Sequence, residues 1–262
     1  MAKKAAAKSG RLPGINRNVV PDRLDLRDRP YMPPVAVIPG PALDPQVNVP
    51  VLDQVQTNAC TGFALASVIY QLQHAAKRNP AECRVSPFML YSMARRYDEF
   101  PGDPGADTGS SARGAMKGWF KYGACEHTLW PGEKMPKPAK QAKNDWWLDA
   151  VRRPLGAYYR IDPRSVTDMH VALNEIGILY VTAACHDGWD KGLGVKQKGW
   201  WRIPPQKATP ADGGHAFAIV GYNRDGFIIQ NSWGTRWGSS GRAVLAYEDW
   251  LDNAMDCWVA QL

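Results

Sequence analysis

An α+β fold in two lobes is the expectation for this chain, and three of its features carry it. Residues 60–78, CTGFALASVIYQLQHAAKR, hold no proline and a single glycine, with apolar residues on nearly every side for three turns, as in a buried helix. Helical patterns continue to about residue 123, whereas the last third consists of short apolar runs separated by turn residues. Helices first and an antiparallel sheet afterwards predict a helical lobe over about 60–130 and a β-rich lobe over about 155–262.

In chain order, residues 1–20 read as a disordered basic tail, and 21–262 as the folded domain. Residues 21–59 are rich in proline (PYMPPVAVIPGPALDP) and read as extended backbone laid on a folded surface. A helix of about 17 residues starts at Cys60. A second spans 86–100, with Ser86 as N-cap and Pro87 in its first turn. After the glycine-rich loop PGDPGADTGSS comes a third, 112–123, closed by Gly123. Lysines 134, 137, 140 and 143 among three prolines mark 131–145 as an exposed loop. Ser165 and Asp168 fit a capping box for a helix reaching about Asn174. Apolar strands are expected at 178–185, 215–222, 226–231 and 241–247, with an Asp-Gly turn joining the middle pair. No internal repeat is present.

The composition narrows the function. Of a formal net charge of +7, five units come from Lys3, Lys4, Lys8, Arg11 and Arg17 in the tail, leaving a nearly neutral body. A basic tail on a neutral body argues against a nucleic-acid partner. No stretch approaches the roughly 18 apolar residues of a membrane helix, so a soluble protein with no membrane partner is expected. The N-terminus has a charged start without a following apolar run, so no Sec-type signal peptide is expected, and the location is either cytoplasmic or reached by leaderless export. The five cysteines (60, 83, 125, 185 and 257) show no C-x-x-C spacing, which argues against a zinc site. They read chiefly as small buried apolar residues, although disulfides among four of them would suit an exported protein.

Four residues carry candidate chemistry. Cys60 opens the buried helix, where unpaired N–H groups and the helix dipole favour a thiolate; alone, it would equally suit inert packing. His215 opens an apolar strand after Gly213 and Gly214, which remove side-chain bulk and let a substrate backbone come close. Asn231 ends the return strand of the same hairpin, where its amide oxygen can accept the imidazole N–H and fix the ring. Gln54 lies six residues before Cys60, and its amide can join the Cys60 N–H in holding an oxyanion. Trp233 and Trp237 would shield the histidine–asparagine bond from water.

Taken together, Q-x5-C opening a buried helix, then GHAFAIVGY, then NSWGTRWGSSG resemble the papain family of cysteine peptidases. PDRLDLR (21–27) is similar to the start of the mature enzyme, and TGSSARGAMKGWFKYG (108–123) to the substrate-binding loop and helix of bacterial members. The resemblance implies an active-site cleft between the two lobes. It also implies Cys60 as nucleophile, His215 as general base and acid, Asn231 as orienter and Gln54 as oxyanion donor. Substrate contacts would come from Gly109, Ser110, Gly214 and Trp233. A peptide or protein substrate is implied, and neither a metal nor any other cofactor. Three departures stand out. The handicap is local: Thr57-Asn58-Ala59-Cys60-Thr61 lacks the usual first cysteine, Thr61 replaces an aromatic residue, and barely 20 residues precede the mature-like start. Restraint would then fall to compartment, to a partner protein, or to the PYMPP segment near the cleft, and deletion of residues 1–20 would test the tail as an inhibitor. Two other readings fit the same residues: a catalytically silent binding module, and an amidase or transglutaminase-like acyl transferase.

Overall fold

A computed structural model describes residues 17–46, 48–79, 82–100, 106–137, 145–192, 199–209 and 212–262. Three helices form the first lobe: α1 (Cys60–Ala75), α2 (Pro87–Arg96) and α3 (Ala112–Tyr122). Short hydroxyl side chains start two of them. Ser86 Oγ accepts the Met89 N–H at 3.0 Å, and Ser111 Oγ accepts the Gly114 N–H at 3.1 Å. Gly123, at φ 74°, closes α3. α1 is different: no side chain caps it, so the N–H groups of its first turn are left for other partners.

The short α4 (Trp146–Ala150) packs against the first lobe, its Ala150 clustering with Met89 and Met93 of α2, and the second lobe is one antiparallel sheet with α5 (Val166–Ile176) and α6 (Tyr247–Asn253) around it. Its strands are β1 (Ala157–Ile161), β2 (Leu179–Ala184), β3 (Gly214–Asn223), β4 (Gly226–Gln230), β5 (Arg242–Ala246) and β6 (Ala254–Gln261), in the order β1-β6-β2-β3-β4-β5. Side chains alternate along β3. Ala216, Ala218 and Val220 join the core shared with α1, while Phe217 and Ile219 join Trp189, Trp233, Trp237 and Trp250 on the other face. The small residues toward α1 let the helix start lie close to the strand carrying His215.

The four expected strands all form within a residue or two of their predicted ends. β1 and β6 were not expected, and the second helix ends at Arg96 rather than 100. Of the expected capping box one half forms: Ser165 Oγ accepts the Asp168 N–H, while the Ser165 N–H donates to the Asp162 carbonyl instead of to the Asp168 carboxylate. Residues 1–16 and 138–144 lie outside the described residues, and with them most of the tail and the part of the 131–145 loop that holds Lys140 and Lys143. All five cysteines are free and buried.

Residues 17–31 fasten the lobes together. Val19 pairs with Gly214 of β3, and Tyr31 with Arg160 of β1. Between them Asp22 accepts the Arg113 N–H and the Trp258 indole N–H. The Arg113 guanidinium binds both Asp28 and Glu99.

Candidate active site

Cys60, at the start of α1, is 1% exposed, and His215, on β3, is fully buried. The sulfur of Cys60 lies within reach of the backbone N–H of Ala216, the residue after the histidine. His215 Nε2 meets Asn231 Oδ1 at 2.8 Å. Because the amide oxygen can only accept, Nε2 carries the hydrogen. The other ring nitrogen, Nδ1, is buried and has no hydrogen-bond partner among the described residues, which leaves it as an acceptor. The hairpin produces this geometry: Ala218 pairs with Gln230, and continuing that register sets Asn231 opposite Phe217, one strand repeat from His215. Asn231 Oδ1 is itself held by the Ser232 N–H at 2.7 Å. Trp233 lies 4.8 Å from the imidazole, ring centre to ring centre, and Trp237 packs 5.7 Å from Trp233.

Gln54 is fixed at both ends of its amide. Ser232 Oγ donates to Oε1 at 2.8 Å, and Nε2 donates to the Thr57 carbonyl at 2.9 Å. That assigns the amide orientation and leaves Nε2 a second hydrogen. Ser232 was not singled out from the sequence, although it stands inside the NSW motif. Thr61, the departure next to Cys60, is buried and shares a 2.6 Å hydrogen bond with Ser110 Oγ. The Ser110 side chain is therefore engaged in tying α1 to the loop before α3. Gly109 donates its N–H to Tyr91 Oη at 3.0 Å.

The cleft is occupied by the chain itself. A methyl group placed on Gly213 would lie 2.1 Å from the Arg17 carbonyl oxygen, one on Gly214 2.2 Å from that of Val19, and one on Gly109 2.9 Å from that of Asn18. The backbone that lies against these glycines is that of residues 17–19. Residues 17–20 of the anticipated tail are placed here. The PYMPP segment is not: Pro30 and Tyr31 sit beside β1, at the sheet's far edge.

Closure changes the electrostatics. Burial pushes the Cys60 thiol up to about 12, against the lowering effect of the Ala216 and Thr61 N–H groups. Burial also pushes His215 down to about 3; the bond to Asn231 opposes this, and the positive charge of Arg17 adds to it. In the closed form the pair is therefore neutral thiol and neutral imidazole, not the ion pair that a helix-start cysteine led us to expect. His186, the other histidine with an adjacent acid, pairs with Asp249 at 2.9 Å rather than with Asp187.

These features are those of a known class. The model of the papain family of cysteine proteases matches residues 46–257, and the chain belongs to that family. It is a hydrolase of the cysteine-peptidase type, acting on peptide or protein substrates. Xylellain, a cysteine protease from Xylella fastidiosa, superposes with a TM-score of 0.79 at 25% identity, over 96% of this chain and 97% of that one. Digestive procathepsin L 3 of Tenebrio molitor shares the fold, with a TM-score of 0.67 at 21% identity over 90% of this chain and 74% of that one. An uncharacterized peptidase C1-like protein of Acanthamoeba polyphaga mimivirus is 25% identical over 80% of this chain and 69% of its own length.

Proposed function

We propose that Cys60 is the nucleophile of peptide-bond hydrolysis, with His215, Asn231 and Gln54 as its working partners. One observation supports the reading above the others: the histidine on β3 gives one nitrogen to Asn231 and keeps the other, buried and unbonded, beside the strand position that touches the Cys60 sulfur. Nδ1 takes the thiol proton as sulfur attacks the substrate carbonyl. The resulting oxyanion is held by Gln54 Nε2 and the Cys60 N–H. His215 returns the proton to the departing amine, leaving a thioester. Water, deprotonated by the same nitrogen, then attacks the thioester and restores the thiol.

Restraint is supplied by residues 17–19 lying in the cleft, and an activating partner or a cut in the preceding chain withdraws them. Incubation with a peptide mixture, followed by mass spectrometry, tests the reaction. New peptide termini that vanish in Cys60→Ala support it. Ammonia release without new termini would instead indicate an amide-directed acyl transferase, and binding without either product a silent module.

A further inference from the structure

Arg17 fills a built pocket beside the catalytic histidine. Its side chain is fully buried, and its guanidinium pairs with Asp190, whose own side chain is 1% exposed. A second guanidinium nitrogen donates to the Cys185 carbonyl at 2.9 Å. The guanidinium carbon lies 5.2 Å from the centre of the Trp233 ring, which is the ring that covers His215. A carboxylate, a carbonyl and an indole face together match the planar fork of a guanidinium far better than the point charge of an ammonium.

The pocket walls are anchored by bonds that do not involve Arg17. Asp190 sits on the turn Asp187–Gly192. His186 anchors that turn through Asp249 and by accepting the Gly188 N–H at 3.0 Å. Trp189 anchors it through the bond from Trp237 Nε1 to its carbonyl at 2.8 Å. Cys185 is held against Gly213 by a 3.0 Å backbone bond, so the pocket opens onto the same glycine ridge that carries the backbone of 17–19. When that segment leaves, a preorganised carboxylate and carbonyl lose their cation at the wall of the cleft. An arginine side chain of a substrate would restore the charge-assisted bonds that Arg17 makes there.

We infer that Asp190, with the Cys185 carbonyl and the Trp233 face, forms a subsite selecting an arginine side chain of the substrate next to the scissile bond, and that Arg17 is its resident stand-in. This rests on the peptidase reading, since it assigns the cleft to substrate.

The full-length Arg17→Ala protein provides the test, because its pocket is emptied. Two peptides are compared as protectors of Cys60 against iodoacetamide: acetyl-Ile-Asn-Arg-Asn-Val-Val-amide, matching residues 15–20, and the same peptide with citrulline for arginine. The arginine peptide should protect at roughly 10- to 100-fold lower concentration, the range for a charge-assisted hydrogen bond. That advantage should vanish in Arg17→Ala/Asp190→Asn and return in part with Asp190→Glu, which separates recognition from misfolding. Cleavage-site profiling of a peptide library then reads the same preference in turnover. Equal protection by the two peptides, or an arginine advantage that survives Asp190→Asn, would overturn the subsite. Arginine-selective protection without cleavage leaves the subsite standing and removes the peptidase reading; cleavage without arginine selection does the reverse.

Discussion

At the scale of single residues, the site depends on which hydrogen each polar atom is left to use. Gln54 has one amide hydrogen committed to Thr57 and a second to spare, and its oxygen is pinned by Ser232. Gln54→Ala is expected to lower kcat roughly 10²- to 10³-fold, as loss of one oxyanion donor does. Its effect on alkylation of Cys60 should be far smaller, since alkylation creates no oxyanion; steady-state kinetics and labelling rates measured side by side check this. Arg17 acts on His215 through charge. Burial is the main cause of the neutral ring and the Arg17 charge adds to it, so Arg17→Ala should raise the His215 pKa above about 3, which an NMR titration of the imidazole would follow. None of this polar detail was visible in the sequence. The residue types of the proposed catalytic set and their order were visible, because a motif records identity, but hydrogen assignment depends on neighbours such as Ser232 and Thr61.

At the scale of elements, caps and hairpins were legible and long-range polar partners were not. Ser86 shows how much one cap carries: its Oγ accepts from Met89 and donates to the Trp130 carbonyl, so it joins the start of α2 to a distant turn. Ser86→Ala should cost about 1–3 kcal/mol of stability, read from denaturant unfolding, through loss of the cap and an unpaired buried carbonyl. The β3–β4 hairpin could be read because its runs are apolar and its turn is Asp-Gly. β6 could not, because Asp256 interrupts the run; that carboxylate is buried with Arg160 and Thr182 as partners, which no local pattern displays. The pairing of Arg17 with Asp190 spans 173 positions. In sequence, Arg17 is one more cation in a basic tail, and Asp190 one more acid in a turn.

At the scale of the whole molecule, the two lobes and the strap across them define a closed, neutral form of the enzyme. His215 gives that form a pH dependence. Its folded pKa, about 3, lies below the ordinary 6.5, so the closed form binds fewer protons than an open one. The contribution is complete above about 6.5 and is lost as pH falls toward about 3, at up to roughly 1.4 kcal/mol per pH unit. Hydrogen exchange of the Val19 amide, which bonds to Gly214, should accelerate on acidification through that window after correction for intrinsic exchange. The central claim is that Cys60 and His215 form a competent catalytic pair covered by residues 17–19. The most direct measurement is the rate at which an epoxide-based cysteine-peptidase inhibitor modifies Cys60, located by mass spectrometry, in the full-length protein and in Arg17→Ala and His215→Ala. The account predicts slow modification of the closed protein, faster modification with Arg17→Ala, and loss of that gain when His215→Ala is added. Modification of Cys60 no faster than that of an ordinary thiol in the Arg17→Ala protein, or a rate indifferent to His215, would contradict it.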